Sequence, residues 1–166
     1  MPIAWRRLSY IVVACSTGAV GAGCGSVEAS DASACGPTRV LIDRVVDGDT
    51  AYTSDGESLR YLLIDAPEIA HRADESSDCY AVEASRANAA LCEGHELRLE
   101  YDPECRDRYG RLLAYLWDED LLINEVLVAQ GNARFMVIPP NDRYATELLR
   151  AEAHAREAGI GLWGQC

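Results

Sequence analysis

Lysine is absent from this chain. Among its 166 residues all 15 basic side chains are arginine, against 27 acids, for a net charge of −12. Lys and Arg contacts to phosphate dominate non-specific nucleic-acid affinity, so this balance argues against a broad electrostatic grip on nucleic acid. It leaves room for a local cationic cleft. With every base an arginine, abundance carries no chemistry, and only position can single out a guanidinium. Histidine is scarce too: His71, His95 and His154 fall in no paired metal spacing and read as surface residues. No nucleophile motif accompanies them, which leaves Ser-His-Asp chemistry without support. There is no CxxC pair, so the 7 cysteines do not suggest zinc. No segment after the N-terminal region approaches the ~20 apolar residues of a membrane span.

The N-terminal region carries a different signal. Arg6 and Arg7 precede residues 8–22, which are mostly apolar and small and too short for a span. Gly21-Ala22-Gly23-Cys24 follows, then Gly25-Ser26. Residues 1–23 read as an export signal that resembles the bacterial lipoprotein type, in which Cys24 becomes an acylated first residue that anchors the chain to a membrane. Simple cleavage is the alternative. Gly21 stands where that pattern usually has Leu or Val, and Cys15 fits the local pattern after a shorter apolar run. Loss of Arg6 and Arg7 would take the charge from −12 to −14. Residues 24–36, rich in Ser, Ala, Gly and acids, read as a flexible tether, and 37–166 as one domain. An exported domain sits where disulfides persist. Without Cys15 and Cys24, five cysteines remain (Cys35, Cys79, Cys92, Cys105, Cys166), so at least one is unpaired within the chain.

Periodicity predicts the elements. Residues 39–46 are β-branched and apolar, a strand. Asp55-Gly56 between extended segments at 51–53 and 59–64 is a hairpin turn, because Gly tolerates the positive φ required there. Residues 79–93 form an alanine-rich helix with Val82, Ala89 and Cys92 roughly on one face and Gly94 as its stop. Residues 96–101 alternate, with Leu97, Leu99 and Tyr101 on one side. Residues 111–117 are a strand, 122–130 a short helix, and 142–158 an amphipathic helix with Tyr144, Leu148, Ala151, Ala155 and Ala158 on its apolar stripe. Leu162 and Trp163 pack back on the domain. This is an α+β, mainly β order: a five-stranded barrel of the oligonucleotide-binding (OB) type with about three packed helices.

Five charges stand out inside DGDT (47–50), LRYLLIDAPE (59–68) and DRYGRLLAYLW (107–117). They are Asp49, Arg60, Asp65, Glu68 and Arg111. Carboxylates supply hard oxygen, which suits calcium better than zinc. Arginine offers paired donors matched to two phosphate oxygens. Together they are the components of metal-assisted phosphodiester cleavage. The dull alternatives are a turn acid beside Gly48, a loop carboxylate at Glu68 and strand arginines in surface ion pairs.

From residue 39 to 163 the chain resembles the staphylococcal nuclease (thermonuclease) family. The resemblance rests on VVDGDT, LRYLLIDAPE, the helix start EAS at Glu83, DRYGRLLAYLW, LLINEVLVAQGNAR and the terminal GLW. It implies the barrel fold and calcium-dependent cleavage of DNA and RNA that leaves 3′-phosphates. It implies that Asp49, Asp65 and the backbone carbonyl of Ala66 hold Ca2+, Ala66 standing where threonine is frequent. Thr50 is then structural. Arg60 and Arg111 would bind the phosphate, and Glu68 would be the general base or water orienter. Tyr109 remains to touch the substrate, and Arg108 is solvated. Residues 135–140 lack the tyrosines that stack on a nucleotide in such nucleases, having Met136-Val137-Ile138-Pro139-Pro140 instead. Stacking contributes about 1–3 kcal/mol per base, so weaker substrate binding is expected, with the chemistry intact.

The expected disulfides are Cys79–Cys105, joining two loops beside that site, and Cys35–Cys166, joining the chain ends, with Cys92 free and buried. The second would stabilise by ~4–5 kcal/mol in the chain-entropy model. The reading is therefore a monomeric, exported, lipid-anchored nuclease. Its rivals are a catalytically weak OB-fold module that binds nucleic acid or protein at the cell surface, and a structural lipoprotein domain whose acids only solubilise.

Overall fold

The computed structural model describes residues 33–166 apart from His71 and Ala73. The export signal, Cys24 and most of the tether lie outside the described residues. The elements are β1 (Arg39–Val45), β2 (Thr50–Thr53), β3 (Ser58–Tyr61), β4 (Ile64–Asp65), α1 (Ala81–Cys92), β5 (Glu96–Glu100), β6 (Leu112–Asp118), β7 (Leu121–Leu122), α2 (Ile123–Ala129), β8 (Arg134–Phe135), α3 (Ala145–Glu157) and α4 (Leu162–Gln165).

Strands pair in the order β3-β2-β1-β5-β6-β7, and a parallel β3–β6 pairing closes β1, β2, β3, β5 and β6 into a five-stranded barrel. All other ladders in it are antiparallel. The β2–β3 turn is the expected one: Gly56 has φ +83° with open space around it. A register shift between Ile42 and Arg44 interrupts the β1–β2 ladder. β5 alternates as expected, with Leu97 and Leu99 inward.

Closure sets the geometry of the site. β3 is paired on both edges, Arg60 lying opposite Thr50 on β2 and Leu113 on β6. Three segments far apart in sequence thus meet across one strand. The barrel is filled by Ile42, Leu59, Tyr61, Leu97, Leu112, Leu116 and Tyr115, and α2 and α3 pack below through Ile123, Leu127, Val128 and Leu148. Each such side chain contributes roughly 1.5–3 kcal/mol through burial.

Helix α1 buries a face different from the expected one. Ala81, Ala84, Asn88 and Cys92 point inward, whereas Val82 is 41% exposed. The residues at i, i+3, i+7 and i+11 are small, so the helix can lie close to β1 and the loop at 46–49. Cys92 is free and buried, as expected.

The disulfide pairing corrects the expectation. The same four cysteines pair as Cys35–Cys105 and Cys79–Cys166. Cys35 and Cys166, expected to meet because they lie at opposite ends of the domain sequence, each meet a loop instead. Tyr101 donates its hydroxyl to the Pro37 carbonyl at 2.6 Å, and the Leu99 N–H bonds the Thr38 carbonyl at 2.7 Å. These bonds fix the N-terminal segment beside β5 and so beside Cys105. At the other end, Gly131 and Gly161 pack backbone to backbone, a Cβ on Gly131 falling 2.2 Å from the Ile160 oxygen. That contact seats α4 with Gln165 against Cys79.

Candidate active site

The turn after β3 builds the first part of the site. Leu63 has φ +61°, a strained value for a non-glycine residue, at a cost of about 1–3 kcal/mol. It is held there by flanking bonds: the amide of buried Asn124 donates to the Leu62 carbonyl at 2.8 Å, and the Met136 N–H to the Leu63 carbonyl at 3.0 Å. The same Asn124 accepts from the Leu116 N–H at 2.9 Å. The tight reversal brings Asp65 back to the strand it left. There Arg60 donates to the Ile64 carbonyl at 2.8 Å and to Asp65 Oδ1 at 3.2 Å.

Asp49 enters from the other side. It is only 1% exposed, and its carboxylate lies 2.9 Å from Arg60. Its Oδ2 accepts the Ala66 N–H at 2.6 Å, and its Oδ1 accepts the Thr50 hydroxyl at 3.0 Å. Thr50 is thus an orienting residue, as expected. Burial pushes the Asp49 carboxyl up, to about 7. The Arg60 charge opposes this, Asp47 adds to it, and the bonds from Ala66 and Thr50 pull it back down.

One guanidinium is therefore shared by two carboxylates, Asp49 from the loop before β2 and Asp65 from β4. That is how a paired-acid site treats a cation. Among the described residues no group of three His, Cys, Asp or Glu side chains converges as a complete metal cage. The oxygen donors brought together are the carboxylates of Asp49 and Asp65, hard oxygen whose chemistry fits Ca2+ better than a softer ion.

Gly48, read in the sequence only as the neighbour of a turn acid, and Asn88, which the sequence did not single out, shape the loop that carries Asp49. Gly48 lies where a Cβ would come 2.4 Å from Ala66 Cβ and 3.1 Å from Ala84 Cβ. Asn88, fully buried on α1, donates to the Asp47 carbonyl at 2.9 Å and accepts the Tyr61 hydroxyl at 3.1 Å. An asparagine spaced four residues from Ala84 and Cys92 on the small-residue face of α1 was the available signal for the second.

Arg111 approaches from the loop before β6. Asp107 fixes it: Arg111 Nε donates to Oδ2 at 2.7 Å, and the N–H groups of Tyr109 and Arg111 donate to Oδ1 at 2.9 and 3.0 Å. Burial works to raise the Asp107 carboxyl. The Arg111 side chain and the two backbone donors outweigh it and hold it below its ordinary value. Arg60 and Arg111 both line one cleft of about 480 Å³, with Asp107, Tyr109, Met136 and Ile138. Tyr109 is 69% exposed, its ring beneath the guanidinium of Arg108 at 4.8 Å and 5.7 Å from that of Arg111.

Glu68 lies in the exposed loop after β4, outside the residues that line the cleft. Its backbone is fastened to Asp78 in both directions: Glu68 N–H to Asp78 Oδ2 at 3.1 Å, and Asp78 N–H to the Glu68 carbonyl at 2.9 Å. His95 and His154 are exposed, as expected. Tyr144 is no substitute for the absent tyrosines of the cleft. Its hydroxyl bonds Glu100 at 2.9 Å and its ring meets Tyr115 edge-on at 4.7 Å.

Comparison with known proteins agrees with this architecture. Residues 58–165 match the family described as "Staphylococcal nuclease homologue". The chain is 36% identical over 131 residues to the SPbeta prophage-derived endonuclease YokF of Bacillus subtilis (strain 168), covering 76% of this chain and 44% of that protein. It is 34% identical to endonuclease YncB of the same organism, over 76% of this chain and 62% of the relative. It is 36% identical over 126 residues to the thermonuclease of Staphylococcus intermedius, over 74% of both. The aligned region thus spans well under two thirds of the longest of these relatives. A closed five-stranded barrel, carboxylates and arginines converging across its closing strand, and matches of this extent place the chain in the staphylococcal nuclease family.

Proposed function

We propose that this protein is a calcium-dependent nuclease that hydrolyses DNA or RNA and leaves 3′-phosphate ends. The observation that carries the reading is the convergence of Asp49, Asp65 and Arg60 beside a cleft that Arg111 also lines. Asp49, Asp65 and the Ala66 carbonyl would hold Ca2+, which supplies charge neutralisation and Lewis acidity at the scissile phosphate.

The chain's own residues do the rest. Arg111, oriented by Asp107, offers its guanidinium to the phosphate oxygens, and Arg60 offers a second. Negative charge that grows on those oxygens in the transition state is met by donors already in place, an arrangement in which one donor is typically worth roughly 10²–10³ in rate. Glu68 takes or orients the proton of the attacking water, and the 5′-oxygen leaves. Tyr109 receives a base or sugar. The aliphatic lip formed by Met136 and Ile138, with Ile138 61% exposed, offers less stacking than an aromatic one, which supports weak substrate retention.

The N-terminal pattern and the two disulfides support export, with Cys24 as the site of a lipid anchor.

The test is incubation of the protein with single-stranded DNA in calcium or in chelator. Cleavage in calcium that stops with chelator supports the nuclease. Binding without cleavage would favour the weak binding module.

A further inference from the structure

The short strand β8 carries one wall of the cleft past the residues that line it. It pairs with β4 so that Phe135 lies opposite Ile64 and Arg134 opposite Asp65, and the Met136 N–H bonds the Leu63 carbonyl at 3.0 Å. Successive residues of a strand face opposite ways. Phe135 packs on the core, whereas Met136 and Ile138 line the cleft. Arg134 therefore shares the cleft face with Met136, about 7 Å further along the strand. Its Cα stands about 4.5–5.5 Å from that of Asp65, whose side chain is 43% exposed.

Exposed positive charge gathers at this place. The Arg134 guanidinium stands over the Trp163 ring at 5.5 Å, and that of Arg156 over the same ring at 4.7 Å. A ring face attracts a guanidinium and restrains it without neutralising it. Both arginines are exposed. Arg156 is partly offset by Glu152, 3.9 Å away on α3, whose other oxygen accepts the Phe135 N–H at 3.1 Å. Among the described residues Arg134 has no carboxylate within ion-pair distance. Arg60 and Arg111, by contrast, each hold one already. In a chain of net charge −12, an unneutralised guanidinium on the face that carries the cleft is a place where a polyanion is attracted.

We propose that Arg134, held over Trp163 beside Arg156, binds a phosphate of the nucleic-acid strand beyond the scissile one, where the strand leaves the cleft along β8. The inference rests on the reading of the chain as a nuclease, which puts the scissile phosphate at Arg60 and Arg111. A contact to the backbone carries no base preference. It acts on retention of the strand, and supplies grip that the aliphatic lip at Met136 and Ile138 withholds.

The experiment measures binding of fluorescein-labelled single-stranded DNA in chelator, against salt concentration, for wild type, Arg134→Gln, Arg134→Lys and Arg86→Gln. Glutamine keeps a stem to lie on Trp163 and removes the charge. Arg86, exposed on α1, gives the same change of net charge on another element. Each phosphate contact contributes about 0.7 to the slope of log affinity against log salt for single strands, so Arg134→Gln should lower that slope by ~0.7. At low salt it should weaken binding about 2- to 5-fold, the size of one exposed ion pair. Arg134→Lys should keep the slope, and Arg86→Gln should leave it unchanged. In calcium, the deficit of Arg134→Gln in kcat/KM should grow as the substrate lengthens from a dinucleoside monophosphate, which has only the scissile phosphate, to a longer oligonucleotide. An unchanged slope in Arg134→Gln, an equal fall in Arg86→Gln, or a deficit independent of substrate length would overturn the proposal. A wild type that binds DNA but does not cleave it would refute the nuclease reading, and the salt slopes would still decide whether Arg134 meets a phosphate. A wild type that binds no DNA would overturn both.

Discussion

Substituting Gly48 by alanine tests how tightly the proposed calcium ligands are coupled. The backbone at Gly48 lies outside the left-handed region, so space alone opposes a side chain. A methyl carbon there would sit 2.4 Å from Ala66 Cβ and 3.1 Å from Ala84 Cβ. Carbon atoms settle at about 3.5–4.0 Å, so the first contact must open by more than ~1 Å. Helix α1 is anchored at Ala84 by a buried face, which leaves the loop at 46–49 and Ala66 to move. Both belong to the proposed metal site, joined by the 2.6 Å bond from the Ala66 N–H to Asp49. Overpacking of this kind costs roughly 1–3 kcal/mol in stability. A displacement of ~1 Å in a positioned group costs up to about 10² in rate. Urea unfolding should therefore show a lower midpoint at unchanged slope, and cleavage should require more calcium to reach a lower maximum. A Gly48→Ala protein with the wild-type unfolding midpoint and calcium response would refute the packing argument.

Asn88→Ala takes away the amide that bonds both the Asp47 carbonyl and the Tyr61 hydroxyl in a buried place, and should cost about 2–4 kcal/mol by chemical denaturation. The depressed Asp107 carboxyl contributes stability that is present above its unfolded value of 3.8 and lost as pH falls through the lower folded value. Acid titrations of wild-type and Asp107→Asn protein should accordingly differ near neutrality and converge as pH falls below the folded value of Asp107. Burial pushes the Cys92 thiol up to about 12, so a thiol reagent at pH 8 should label Cys92 only on unfolding, with kinetics that follow tryptophan emission. Calcium that binds the folded state alone should raise the thermal midpoint with its logarithm, and Asp49→Ala should abolish that rise.

What the sequence made legible follows from how local each feature is. The β2–β3 turn was readable because Asp55-Gly56 specifies its own backbone. β5 was readable because Leu97 and Leu99 alternate with charge. The two-residue strands β4 and β8 were not, since Ile64–Asp65 and Arg134–Phe135 are too short for any period and exist only because the Leu63 turn brings them together. Disulfide partners depended on where each chain end docks, which the bond from Tyr101 to Pro37 and the backbone contact of Gly131 with Gly161 decide. Val82 looked like a core residue by hydrophobicity. The close approach of α1 to the loop at 46–49 instead selected alanines and Asn88. Asp49, Arg60 and Asp65 were legible as a group because their motifs meet at β3, and Arg111 shares a cleft with Arg60, whereas Glu68 lies in an exposed loop outside the residues lining that cleft. Of their supports, Gly48, Asn88 and Asn124 act through contacts between segments distant in sequence, whereas Asp107 acts within its own loop, four residues before Arg111; none leaves a periodic trace.

The central claim is that guanidinium groups on this cleft stabilise charge at a phosphate undergoing cleavage. Its most direct test is the single-turnover cleavage rate of Arg111→Ala on single-stranded DNA, at saturating calcium, in protein shown to be folded. The account predicts a rate roughly 10²–10³ below wild type. A rate equal to wild type would contradict it.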